Sequence, residues 1–172
     1  MAKPTLRSTR FVRTFAVAVV CTAGAWLAAA PAHADPKSGY VSGSDLLCLA
    51  LNVYHEARNQ SLEGQLAVAY VTLNRVQAKR SPTVCDVVFR DGYFSWTKDR
   101  QKVNGWPTDK IAWETAQHVA RAALADPAAD PVKGSTYFHT ASVAPDWAPS
   151  MVRVARIGDH IFYRDRSAPA AQ

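Results

Sequence analysis

The sequence predicts an α+β domain that is mainly helical and carries a small antiparallel β-sheet in its C-terminal third. Three observations support this fold class. Two stretches with apolar helical patterns lie between residues 44 and 79, and a third lies between 108 and 124. Beyond residue 135 the pattern changes to short segments rich in branched and aromatic residues. Helices that come first and strands that follow indicate segregated layers.

The first two helices are predicted from their caps and their apolar content. Ser44 is expected to cap a helix that runs to about Arg58. Ser61 is expected to cap a second helix that runs to about Lys79. That second stretch is apolar on nearly all sides, which predicts a central, buried helix. Ser81-Pro82 ends it, because proline disfavours helical geometry at the residue before it.

The rest of the chain is predicted as an irregular segment, a third helix and three strands. Residues 83–107 are expected to be irregular, with 84–89 forming either a short strand or a helical turn. Thr108 is expected to cap a helix that ends near Leu124. The strands are predicted at 135–140, 151–156 and 160–164. Gly158-Asp159 separates the last two, and glycine at the first turn position favours a type II′ hairpin.

The N-terminal residues 1–34 have the pattern of a secretory signal peptide. A basic segment precedes the uncharged apolar run 15–30, and Ala32-His33-Ala34 resembles a cleavage site. The run is short for a membrane span, which needs about 20 residues; an uncleaved anchor is the alternative. We therefore expect Sec-type export to the periplasm, the cell wall or the medium. The expected remainder is a linker at 35–43, one folded domain at 44–166 and a tail at 167–172.

Removal of the signal peptide changes the charge balance. The whole chain has a net charge of +6, from 20 basic and 14 acidic residues. The predicted signal peptide holds four of the basic residues and no acidic one, which leaves a net +2. The basic character of the chain is therefore largely a targeting feature, and nucleic-acid binding is not expected. A weak positive balance still suits an anionic polymer.

Export also bears on the cysteines. Cys21 leaves with the predicted signal peptide, so the folded part keeps Cys48 and Cys85. An even pair in an oxidising compartment predicts a disulfide, and two reduced, buried thiols are the alternative. The disulfide would tie the first helix to a downstream loop.

Glu56 is the most informative single residue. On a helix it shares one stripe with the apolar residues Leu49 and Val53. A carboxyl group on a core-facing stripe is costly to ionise, so its pKa should rise. A carboxyl group that stays protonated near neutral pH can serve as a general acid. The alternative is that Glu56 marks the helix end and pairs with Arg58 or a lysine.

Aromatic side chains among polar ones mark two later regions. They are Tyr93, Phe94, Trp96, Tyr137, Phe138 and Trp147. In loops such side chains can form platforms for sugar rings, whereas in the interior they only pack. Trp96 and Trp147 lie in predicted loops beside polar residues, so they are the better candidates for a cleft.

The sequence predicts neither a metal site nor a covalent catalytic triad. His55-Glu56 begins like the zinc motif H-E-x-x-H, but Asn59 stands where the second histidine should be. The nucleophile motif G-x-S-x-G is absent, and the two remaining cysteines fit a disulfide better. No metal or other cofactor is therefore expected.

Residues 46–164 resemble the SleB/CwlJ family of cell-wall hydrolases, which is named for spore-cortex-lytic enzymes. The order and spacing of several segments carry the resemblance, since no single segment is decisive. These segments are Leu49 to Arg58, Glu63-Gly64-Gln65-Leu66-Ala67-Val68-Ala69, Leu73-Asn74-Arg75-Val76, Val84-Cys85-Asp86-Val87-Val88, Phe94-Ser95-Trp96, Gly134-Ser135-Thr136-Tyr137-Phe138 and Ile157-Gly158-Asp159-His160-Ile161-Phe162-Tyr163, together with Trp147.

The resemblance implies a lysozyme-like glycosidase that acts on peptidoglycan glycan strands. The catalytic glutamate of the E-A-R segment corresponds to Glu56. Family members usually continue as E-A-R-G-E, whereas Asn59-Gln60 stands here, so one carboxylate near the site is missing. Glu56 would protonate the oxygen between N-acetylmuramic acid and N-acetylglucosamine.

Two outcomes of that cleavage remain open. In a lytic transglycosylase the 6-hydroxyl of the muramic acid attacks, and one carboxyl group serves as acid and then as base. In a hydrolytic muramidase water attacks, and a second carboxylate usually helps. The single glutamate and the resemblance favour the transglycosylase. The possible second carboxylates are Asp86, Asp91, Asp99 and Asp146.

The other expected site residues would contact or position the sugars. They are Asn74, Ser95, Trp96, Tyr137, His139 and Trp147. His160 would either orient Glu56 or complete the hairpin, and Arg58 would contact substrate or pair structurally. The expected partner is peptidoglycan, and the protein is expected to be a monomer. A non-catalytic peptidoglycan-binding protein and a metal-dependent amidase or peptidase are the rival classes.

Overall fold

The computed structural model describes residues 43–81, 83–90 and 92–168. Within these ranges the predicted fold class is confirmed, since helices come first and a three-stranded antiparallel sheet closes the chain. The predicted signal peptide lies outside the described residues, as do nearly all of the linker and most of the tail. None of the helices in the described part is long and apolar enough to cross a membrane.

In the described ranges, four α-helices form the larger part of the regular secondary structure. They are α1 at Gly43–Ala57, α2 at Leu62–Lys79, α3 at Arg100–Asn104 and α4 at Lys110–Ala125. Ser61 caps α2 as predicted, because its hydroxyl accepts a hydrogen bond from a backbone N–H in the first turn. Two other caps were wrongly predicted: Ser44 lies inside α1, and Asp109 rather than Thr108 caps α4. Aspartate ranks above threonine as a cap, and the two are adjacent here.

The segment 83–107 contains more helical structure than predicted. A π-helical turn spans Asp86–Arg90, so of the two alternatives predicted for residues 84–89 the helical turn is correct. A 3₁₀ turn follows at Ser95–Lys98. Asp99 then caps α3, since its carboxylate accepts the Gln101 backbone N–H at 2.9 Å.

The sheet has the strand order β1-β3-β2, with every neighbouring pair antiparallel. The strands are β1 at Tyr137–Thr140, β2 at Val152–Ile157 and β3 at His160–Arg164. In the two-residue turn between β2 and β3, Gly158 has a φ of 56° and Asp159 does not have a positive φ. This pattern fits the predicted type II′ hairpin.

The core lies among α1, α2 and α4, with Phe162 from the sheet. Its largest fully buried apolar side chains are Phe94, Phe162, Leu49, Val53, Val68, Val71, Val87, Val88 and Val132. One buried amide is part of it. Asn52 on α1 donates to the Thr72 hydroxyl at 3.0 Å and accepts the Trp96 indole N–H at 2.9 Å. This pair of bonds joins α1 to α2 and to the 3₁₀ turn.

A disulfide and an amide clamp hold distant parts of the fold together. Cys48 on α1 forms the predicted disulfide with Cys85, which precedes the π-helical turn. Gln60, in the turn between α1 and α2, donates to the Asp159 carboxylate at 3.1 Å and accepts the Asp159 N–H at 3.2 Å. A Cβ at Gly158 would lie 2.5 Å from the side-chain amide oxygen of Gln60, so only glycine at this position allows the two to approach so closely.

Loss of the disulfide should destabilise the domain. Replacement of Cys48 and Cys85 by alanine should lower the free energy of unfolding by roughly 3 to 4 kcal/mol, because the 37-residue separation is no longer closed in the unfolded chain. Urea denaturation of the double variant, next to the oxidised wild type, measures this difference. Equal unfolding midpoints would contradict it.

A carboxylate in place of Gln60 should weaken the clamp to the hairpin. Gln60→Glu removes the donor and places a second carboxylate against Asp159, so we expect a loss of about 1 kcal/mol near neutral pH. The same change at the exposed Gln77 on α2 serves as the control. In acid solution the protonated glutamate can donate again, so the difference between the variants should shrink. A loss of equal size at every pH would contradict the charge explanation.

Candidate active site

Glu56 lies half-buried in the last turn of α1, between the buried residues Tyr54 and Ala57. Burial raises the pKa of the Glu56 carboxyl above its ordinary value of 4.5, and the charges of Arg75 and Lys102 oppose part of this rise. The pKa shift expected from the apolar stripe is therefore confirmed in direction. Arg58, the expected alternative partner, points its guanidinium back to the Tyr54 carbonyl and ring.

The cation with the largest effect on the pKa of Glu56 is Arg75, which lies on α2 and is only 7 % exposed. Its Nε donates to the Thr136 carbonyl at 2.7 Å. Its guanidinium carbon lies 4.7 Å from the Tyr93 ring centre and 4.8 Å from that of Phe94. Burial lowers the pKa of Arg75 to about 10, against the opposing influence of Tyr93 and Glu56, so the side chain stays cationic at neutral pH.

A pocket of about 530 Å³ lies beside Arg75 and between α2 and the start of β1. Asn74, a predicted substrate-binding residue, is part of its wall. The Asn74 amide nitrogen donates to the Asp130 carboxylate at 3.0 Å and to the Ser135 carbonyl at 3.1 Å. These bonds hold the loop that precedes β1. Glu56 is not part of the pocket wall. The link between the two is Arg75, which lines the pocket and acts electrostatically on Glu56.

Three predicted substrate-binding residues meet in an aromatic cluster of Tyr137, His139, Trp147 and Tyr163. The ring centre of Trp147 lies 5.5 Å from that of Tyr137, 5.6 Å from that of His139 and 5.5 Å from that of Tyr163. The His139 and Tyr163 rings are stacked at 5.2 Å. A second pocket, of about 430 Å³, adjoins His139 and Tyr163.

Hydrogen bonds fix the orientation of the His139 ring in this cluster. Its Nδ1 lies 2.8 Å from the Thr140 carbonyl oxygen, and its Nε2 lies 3.0 Å from the Tyr163 hydroxyl. A carbonyl only accepts, so Nδ1 of the neutral ring carries the proton and Nε2 accepts from Tyr163. The cluster therefore presents a rigid aromatic wall.

Ser95 and Trp96 do not join that wall. Trp96 is only 4 % exposed, donates to Asn52, and stacks on His55 with ring centres 4.3 Å apart. The expectation that Trp96 lies in a cleft is therefore corrected: its turn directs the indole into the core. Ser95 is exposed at the start of the same turn.

His160 belongs to the sheet. It is 4 % exposed, and its ring centre lies 5.2 Å from that of Phe138. Burial lowers the pKa of His160, which keeps the ring neutral at ordinary pH. Of its two expected roles, completion of the hairpin fits this position.

The possible second carboxylates have other partners or positions. Asp86 pairs with Arg90, Asp99 caps α3 and lies 3.6 Å from the Lys102 ammonium, and Asp146 lines the second pocket. Asp91 lies outside the described residues. In the described part of the chain, no carboxylate contributes to the pKa shift of Glu56.

Arg75, Tyr163 and Lys102 are the site residues that sequence reasoning missed. Arg75 had a signal, because it is a charged residue in a helix predicted to be buried on nearly all sides. Tyr163 alternates with the buried Phe162 on β3, which placed it on one strand but not beside Trp147. Lys102 lies on α3, a helix that was not predicted, and its charge lowers the pKa of Glu56.

Comparison with known proteins places this chain in a family. The Cell Wall Hydrolase family matches residues 59–163, a range that begins three residues after Glu56. The spore cortex-lytic enzyme of Halalkalibacterium halodurans is 35 % identical over 129 residues, which cover 73 % of this chain and 36 % of that protein. The spore cortex-lytic enzyme of Bacillus subtilis is 32 % identical, over 72 % of this chain and 39 % of that protein.

Solved structures agree with these matches. The catalytic domain of the germination-specific lytic transglycosylase SleB from Bacillus anthracis superposes with a TM-score of 0.61 and 31 % identity, over 73 % of this chain and 98 % of that one. The catalytic domain of Bacillus cereus SleB gives a TM-score of 0.60 and 30 % identity, over 72 % of this chain and 91 % of that one. The chain spans less than half the length of the curated relatives it matches. From the family match, these relatives and the shared fold, the chain belongs to the cell wall hydrolase family.

Proposed function

We propose that this chain cleaves peptidoglycan between N-acetylmuramic acid and N-acetylglucosamine as a lytic transglycosylase. Glu56 would act as the general acid and then as the general base. The observation that carries the proposal is the half-buried Glu56 carboxyl, whose pKa is raised although two cations act on it. Membership of the family and the lytic transglycosylase activity named for the Bacillus anthracis structure support the same reaction.

In the first step the protonated Glu56 donates its proton to the glycosidic oxygen. The bond from the muramic acid C1 to that oxygen breaks, and the N-acetylglucosamine leaves with a free hydroxyl group. Positive charge then develops on the muramic acid ring. A raised pKa favours this step, because a larger fraction of Glu56 is protonated at the working pH.

In the second step the Glu56 carboxylate takes the proton of the muramic acid 6-hydroxyl. The oxygen of that hydroxyl attacks C1 of the same sugar, and a 1,6-anhydro ring forms. Glu56 is protonated again, so the cycle closes without a second acid. Arg75 and Lys102 stabilise the carboxylate between the two steps, since their charges favour its ionised form.

The surroundings of Glu56 support a route with one carboxyl group. The charges that act on it come from Arg75 and Lys102, and both are positive. Position 60, where the family usually has a second glutamate, holds the amide of Gln60, and both ends of that amide bind Asp159. A water-attack mechanism usually uses a second carboxylate as base.

The aromatic cluster and the predicted export complete the proposal. Tyr137, His139 and Trp147 are partly exposed and offer flat apolar faces with polar edges, which suit the apolar faces of sugar rings. Tyr163 is buried and packs against His139 and Trp147. Export through the predicted signal peptide would bring the domain to the wall polymer. That segment lies outside the described residues.

Purified peptidoglycan should release soluble muropeptides when the protein is added, and Glu56→Gln should reduce the rate at least ~100-fold, because the proton donor is lost. Release should persist in EDTA. Mass spectrometry of the fragments should show 1,6-anhydro ends. Binding without release would contradict an enzyme, reducing ends would identify a hydrolytic muramidase, and loss of release in EDTA would favour a metal-dependent enzyme.

Glu56 should also reduce stability near neutral pH. Its pKa is raised in the folded state, so the stability that the protonated carboxyl contributes is present below 4.5 and is lost as the pH rises through the folded-state pKa. Glu56→Gln has no such loss. We therefore expect the variant to unfold at higher urea than the wild type at about pH 7, and both to unfold at similar urea at about pH 4. A variant that is less stable at the higher pH would contradict the shift.

A further inference from the structure

Arg75 carries a hydrogen-bond donor that the described residues leave unused. Its Nε is bound to Thr136, and the flat guanidinium packs on the Tyr93 and Phe94 rings. Its Nη1 is buried and has no hydrogen-bond partner in the described part of the chain. A buried cation with an unmet donor is costly, so such a group in a pocket wall is suited to a ligand that accepts a hydrogen bond from it.

The pocket beside Arg75 has a volume and a wall suited to a polar chain. Its volume of about 530 Å³ lies within the usual range for ligand sites. Lys79 adds a second positive charge to the pocket wall, and Asp165 adds a negative one. Asp165 accepts hydrogen bonds from the Ser167 N–H and hydroxyl. Arg75 and Lys79 are the two basic residues among those that line the pocket.

We propose that this pocket binds a carboxylate on the lactyl arm of a muramic acid residue, with the Arg75 guanidinium as its donor. This inference rests on the proposed cleavage of glycan strands, because it names the part of that substrate which the pocket takes. An arginine fork suits a carboxylate, since its N–H groups match the two oxygens.

The position of the pocket matches the chemistry of the muramic acid. The scissile bond leaves this sugar at C1, and the lactyl arm leaves the same ring at O3. A ring held with its C1 at Glu56 must therefore place its arm a few atoms away. The pocket wall does not include Glu56, but it includes Arg75, which acts electrostatically on Glu56.

Two kinds of carboxylate in peptidoglycan could bind the pocket in this way. In strands with stem peptides the lactyl carboxyl is an amide, and the nearest carboxylates belong to the peptide. In strands from which an amidase has removed the peptides, the lactyl carboxylate itself is free. Both forms can be made neutral by carbodiimide coupling to methylamine, which leaves the glycan unchanged.

Binding of these soluble strands to the Glu56→Gln protein tests the proposal without cleavage. Calorimetry should give at least ~10-fold tighter binding for carboxylate strands than for their methylamide forms, since a hydrogen bond to a charged group is lost. The form with the larger ratio, peptide-bearing or peptide-free, identifies the carboxylate that Arg75 contacts.

Variants in the same background assign the effect to the pocket. Adding Arg75→Gln should bring the ratio close to one, with little change for the methylamide strands. Lys79→Glu, an exposed change that leaves the Arg75 contacts in place, should also lower the ratio. The control is Arg121→Gln, because Arg121 is an exposed cation on α4 and is not in the pocket wall. It should leave the ratio unchanged.

Equal binding of carboxylate and methylamide strands would overturn the proposal. So would an Arg75→Gln variant that weakens both by the same factor, because Arg75 would then act through Glu56 or the fold. If Arg75→Gln does not fold, an unchanged ratio in Lys79→Glu overturns it. Muropeptide release by the wild type without a carboxylate preference would leave the proposed cleavage intact. A carboxylate preference without release would remove the cleavage and keep the pocket.

Discussion

The buried guanidinium of Arg75 is the contact on which the relation between the helices and the sheet depends. It extends from α2, lies on the rings of Tyr93 and Phe94, and donates to the Thr136 carbonyl just before β1. Desolvation of a cation is unfavourable, and here aromatic faces and one carbonyl offset part of it. The same charge acts on Glu56, so the packing of the domain and the acidity of its candidate acid are linked.

The departure from the family pattern at Asn59-Gln60 has a structural explanation at its second position. An amide donates and accepts at once, and the Asp159 backbone and side chain require both functions from Gln60. A carboxylate cannot satisfy both. Gln60 therefore binds the hairpin through Asp159 and carries no negative charge. The charged residues that act on Glu56 are the cations Arg75 and Lys102.

The long elements and Glu56 could be predicted because local signals agreed there. Apolar periodicity and the Ser61 cap located α2, and the stripe of Glu56 indicated its raised pKa. The short helix α3 could not be predicted, because it has only five residues and its one local signal is the Asp99 cap. Trp96 was misplaced because a loop residue can point inward, and only the buried Asn52 acceptor decides that direction. Arg75 was missed because its partners are remote in sequence.

The strand order has a consequence for the life of the chain. The last strand along the sequence, β3, lies in the middle of the sheet. Both β1 and β2 pair with β3, so neither strand has its hydrogen-bonding partner until β3 has been synthesised. Tyr163 and the Asp159 end of the clamp arrive with it or just before it. A partly synthesised or C-terminally clipped chain therefore lacks both the finished sheet and the completed aromatic cluster.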